Sequence, residues 1–96
     1  MGDAVEKERL DALAAVFNEE NDGMKREDYA AGTWGCHEAM FAAHMLADDV
    51  TRKLVDHPAV LLRPEWHRRA YRIFEALEDL GRSITREHLG RDQPVN

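Results

Sequence analysis

The sequence predicts an all-α protein. It should be an antiparallel helical hairpin plus an N-terminal helix, three helices per chain, pairing into a helical-bundle dimer. Three observations lead there. Alanine and leucine are abundant and β-branched residues are few, a composition that favours helix. Apolar residues recur at spacings of three and four, and no stretch alternates with period two. Glycine and proline fall mostly between the periodic stretches, where they end helices. The chain reads as one domain, with helices at about 4–20, 34–56 and 64–89, a connection at 21–33 and a frayed tail at 91–96.

The first helix should start after Asp3, which forms a capping-box pattern with Glu6. Leu10, Leu13, Ala14 and Phe17 mark a narrow apolar stripe. Asn21-Asp22-Gly23 should stop it, since Asn and Gly accept the left-handed conformation. In the connection, Lys25 to Ala31 has the pattern of a short helical turn closed by Gly32. Gly32 and Gly35 flank Thr33-Trp34 and bend the backbone there.

The second helix carries a seam of Cys36, Met40, Ala43, Ala47, Val50 and Leu54. Their alternating steps of four and three match knobs-into-holes packing. His37, His44, Thr51 and Val55 lie beside the seam, then Asp48 and Phe41. Pro58 disfavours helical geometry at His57 and ends the helix. The third helix starts at Pro64, a favoured first position. Trp66, Ala70, Ile73, Leu77, Leu80, Ile84 and His88 share one face. Gly81 sits mid-helix at a propensity cost of about 1 kcal/mol, which implies close approach of another helix.

The link His57–Arg63 is short, so the second and third helices should be antiparallel neighbours. Cys36 should lie level with Ile84, Met40 with Leu80, and Leu54 with Trp66. Such wide apolar arcs need cover: either the first helix covers the hairpin or two hairpins dimerise into a four-helix bundle, and small size and arc width favour the dimer, with the first helix as an additional layer. The interface residues on this reading are Met40, Ala47, Val50, Trp66, Ala70, Leu77 and Ile84.

The run Thr33-Trp34-Gly35-Cys36-His37-Glu38-Ala39-Met40, followed by Asp56-His57-Pro58-Ala59-Val60, carries a further signal. Its G-C-H-E-A start and D-H-P-A turn resemble a group of small, uncharacterised bacterial helical-hairpin proteins. The resemblance covers roughly residues 33–84. It implies a helical hairpin and no activity.

Composition limits the chemistry. At 11.0 kDa the chain has no room for a substrate domain beside a cofactor domain. One cysteine, Cys36, excludes an intrachain disulfide and every multi-cysteine zinc module. There is no long apolar run and no secretory pattern, so no membrane association and a cytoplasmic location are expected. A net charge of −6 argues against direct nucleic-acid binding. No phosphate-binding glycine loop, H-E-x-x-H motif or EF-hand pattern is present.

Two groups have metal-ligand chemistry. His44 and Asp48, four residues apart, are placed to share an ion, or Asp48 fixes the tautomer of His44. Cys36, His37 and His88 should gather at one end of the hairpin and have the donor atoms for zinc. Cys36 and His37 are adjacent, however, and point about 100° apart on a regular helix. The competing reading is a seam cysteine with hydrogen-bonded core histidines. Cys36 near a helix N-terminus has the setting of an activated thiol, but no orienting acid or oxyanion hole follows. No enzyme activity and no cofactor are expected. Trp34 and Trp66 either anchor a partner or cap the ends of the core, and the small core favours capping.

Charge is unevenly spread. Residues 1–50 carry 12 acidic and 4 basic side chains, and residues 51–96 carry 7 and 9. Arg68, Arg72, Arg82 and Arg86 lie on the outer face of the third helix. They are expected to pair with Glu75, Glu78, Asp79 and the acidic first half, and they also have phosphate-binding geometry. Glu19, Glu20, Asp22, Glu27 and Asp28 crowd one connection. The leading expectation is a non-enzymatic homodimer acting through protein–protein interaction. The alternatives are a phage-type inhibitor (anti-CRISPR or nuclease inhibitor) docking its acidic surface on a basic protein partner, and a metal-binding or sensing helical dimer.

Overall fold

The computed structural model describes residues 2–18 and 24–90. Every regular element among them is helical. There are four α-helices: α1 (Gly2–Val16), α2 (Trp34–Val50), α3 (Pro58–Leu61) and α4 (Pro64–Gly90). A 3-10 turn, Arg26–Tyr29, precedes α2, and a π turn, Thr51–Val55, extends it.

Helix α1 begins before Asp3, so Asp3 lies inside the first turn and complements the helix dipole rather than capping it. Two exposed pairs brace it: Lys7 with Asp11 at 3.1 Å and Arg9 with Glu6 at 2.6 Å. The hydrogen bond from Arg9 holds the Glu6 carboxyl below its ordinary range. The helix ends at Val16, earlier than the stripe implied. Phe17 turns to meet the Tyr29 ring edge-on at 5.8 Å, and Arg26 stands over the Phe17 ring. The expected stop at Asn21-Asp22-Gly23 and the tail 91–96 lie outside the described residues. Helix α1 packs on no other helix, so the expected additional layer over the hairpin is not formed within the chain.

Gly32, at φ 89°, turns the chain into α2. Thr33 caps that helix: its Oγ1 accepts the Cys36 N–H at 3.4 Å and donates to the Ala30 carbonyl at 2.6 Å. The π turn is closed by Asp56 N–H to the Thr51 carbonyl at 2.9 Å. His57 is extended before Pro58, as the sequence requires. Its Nδ1 accepts the Ala59 N–H at 3.1 Å and starts α3, an element the periodicity did not show.

Helices α2 and α4 pack antiparallel along their length. Ala43 and Ala47 on α2 and Ala70, Gly81 and His88 on α4 are buried in the seam. Gly81 is the point of closest approach. A Cβ there would lie 3.2 Å from His44 Cε1 and 3.6 Å from Ala43 Cβ.

Two expectations shift. His88 meets His37, and Gly81 meets Ala43 and His44, so the level partners are displaced by roughly one turn of α4. At the far end Val55, not Leu54, is buried. The π turn adds a residue to its helical turn and rotates the seam by one position.

Candidate interaction surfaces

The seam of the hairpin has two sides. One is marked by His44, whose Nε2 lies 3.1 Å from Thr85 Oγ1. The other carries Leu46 and Val50 from α2 and Trp66, Ile73 and Leu80 from α4, by helical position. Leu46 is 52% exposed, Trp66 47%, Ile73 49% and Leu80 51%. Trp66, Ile73 and Leu80 recur every seven residues and form one row along α4. The charged residues on this side, Lys53, Arg69 and Glu87, fall at its edges by helical position. Apolar centre and charged rim are the layout of a protein interface.

The residues expected at an interface divide differently. Ala47 and Ala70 are buried within the hairpin, and Met40, Val50, Leu77 and Ile84 are half-buried along it. Only Trp66 is exposed. The small residues let the two helices approach, and the larger ones flank the contact. Ile73, Leu80 and Leu46 were missing from the interface set. The signal was present: one face of seven residues on α4 is too wide for one neighbouring helix, and its outer row is left over.

The elbow before α2 holds the second cluster. His88 is buried, and its Nδ1 accepts the Gly32 N–H at 2.9 Å. Its ring lies 5.6 Å from that of His37, which stacks on Trp34 at 5.2 Å. Cys36 is half-buried nearby in sequence, a free thiol. So Cys36, His37 and His88 do share one end of the hairpin. Yet no three His, Cys, Asp or Glu side chains among the described residues are arranged to hold a metal ion. The Nδ1 of His88 is already committed to backbone. His44 turns to Thr85 while Asp48 pairs with Arg52 at 3.1 Å, so these two are not drawn together.

Neither tryptophan caps the core. Trp34 is 73% exposed, and Trp66 lies under the Arg63 guanidinium at 4.5 Å. Among the described residues the buried apolar core is Ala43, Ala47, Val55 and Ala70. Glu27 and Asp28 are exposed on the 3-10 turn. Glu19, Glu20 and Asp22 lie outside the described residues.

The arrangement defines a class: a helical hairpin with one apolar face left without a partner. No family model, curated protein or solved structure matches the chain. No helix among the described residues is long and apolar enough to cross a membrane.

Proposed function

We propose that the protein is a non-enzymatic interaction module that works as a homodimer. Two hairpins pair through the Leu46, Trp66, Ile73 and Leu80 face to make a four-helix bundle. The observation that carries this reading is the exposed row of Trp66, Ile73 and Leu80 along α4, with charged residues at its edges and ends.

Area supports a second copy as the occupant. The chain exposes 7890 Å², against about 5600 Å² for a compact monomer of this mass. The excess, about 2300 Å², is of the order that one protomer of an obligate dimer buries. A two-fold axis across the face sets each α4 row against its copy, so one surface serves both sides.

The test is Ile73→Glu with Leu80→Glu. Sedimentation equilibrium at tens of micromolar should give twice 11.0 kDa for the wild type. The double variant should sediment as a monomer with its helical circular dichroism retained, its dimer weakened about a hundredfold or more. Phe41→Glu, on the side of α2 away from α4, should leave the dimer intact. A monomeric wild type, or a dimer lost equally with Phe41→Glu, overturns the reading.

A further inference from the structure

Arg68 and Arg72 stand one turn apart on α4, both exposed. Like charges at this spacing repel each other. Two other arginines of α4 are neutralised: Arg69 takes Glu65 at 3.1 Å, and Arg82 lies 3.9 Å from Asp79. Among the described residues Arg68 and Arg72 form no ion pair, in a chain with an excess of carboxylates. Glu75 lies beside them and pairs with neither.

The two arginines line a shallow, open groove of about 470 Å³ along α4, with Pro64, His67, Tyr71 and the Glu75 carboxylate. The His67 and Tyr71 rings lie 6.3 Å apart and wall one side. Arg68 also lines an adjoining groove with Arg63 and Trp66.

We propose that this groove binds a dianionic phosphate group. Guanidinium forks at Arg68 and Arg72 match its oxygens two at a time, and the Tyr71 hydroxyl adds a neutral donor. The groove lies on the opposite side of α4 from the Ile73–Leu80 row, by helical position, so the site does not depend on dimerisation.

The full chain is titrated with inorganic phosphate at constant ionic strength and followed by NMR. The amides of residues 67–72 and the arginine side-chain N–H signals should shift and saturate. Arg68→Ala and Arg72→Ala should each weaken binding about tenfold. Arg82→Ala with Arg86→Ala removes two charges elsewhere on α4 and should leave binding within about twofold. A second arm uses a nucleoside 5′-monophosphate. Tighter binding than phosphate identifies a nucleotide as the source, through its base on Tyr71, and equal binding identifies free phosphate; either supports the site. Shifts that fail to saturate by 50 mM (on the order of the weakest specific anion sites), or equal losses in the Arg82/Arg86 variant, overturn it.

Discussion

Gly81 and His44 set the distance between the two long helices. A methyl group at Gly81 would gain helix propensity of about 1 kcal/mol, but it would press on the His44 ring at 3.2 Å. The ring is held in place by Thr85. The two effects therefore oppose each other, and a double-mutant cycle separates them. Gly81→Ala should be more favourable in a His44→Ala background than in the wild type, by about 0.5–1 kcal/mol. Urea denaturation of the four proteins reads this coupling. A cycle that closes to zero would mean the ring moves aside freely. Gly81→Leu should destabilise both backgrounds by about 1–3 kcal/mol, because the added atoms meet Ala43 as well. The close approach was legible from the sequence because a glycine inside a long helix has a cost that something must offset. What approached it was not legible. The periodicity placed His44 beside the seam and Met40 level with Leu80, while the link hid a turn of α3.

At the scale of elements, the elbow between the 3-10 turn and α2 is pinned to the far end of α4. The pin is His88, which accepts the Gly32 N–H from 56 residues away in sequence. Gly32 is exposed, so its N–H can turn to water, and the hydrogen bond contributes about 0.5–1.5 kcal/mol. His88→Ala should therefore destabilise the hairpin by at least that range, and the Gly32 amide should lose its protection from hydrogen exchange. The Asp56 amide, held inside the π turn at the other end, should keep its protection. Equal loss at both amides would show global unfolding rather than a released pin. The sequence identified His88 as a member of the cluster with Cys36 and His37. Only the fold shows that its role is to accept a backbone proton. The stop at His57-Pro58 and the start at Pro64 were readable, because proline fixes local geometry whatever the tertiary context. The π turn was not, because it follows from packing at the hairpin's end and leaves no residue signature. Its effect is large for its size, since it exchanges Leu54 for Val55 in the seam.

The whole molecule is more open than its length requires. Its radius of gyration is 17.1 Å, against about 12.5 Å for a compact domain of 96 residues. Two parts of it, α1 and the uncovered hairpin face, make different demands. Among the described residues α1 packs on no other helix, and a lone helix of 15 residues is marginal in water. Just beyond it Phe17 meets Tyr29 and Arg26, and an aromatic pair contributes about 0.5–1.5 kcal/mol. Removing residues 1–18 should therefore lower the melting temperature by only a few degrees. The hairpin face is different, because stability drawn from a second copy depends on concentration. Tenfold dilution should lower the melting temperature of the full chain by a few degrees. The shortened chain should show the same dilution dependence and the same dimer mass. That comparison assigns the interface. If the shortened chain is monomeric, α1 carries the dimer and the Ile73–Leu80 row does not. If both chains dimerise and both lose it with Ile73→Glu and Leu80→Glu, the hairpin face is the working surface and α1 is an appendage to it.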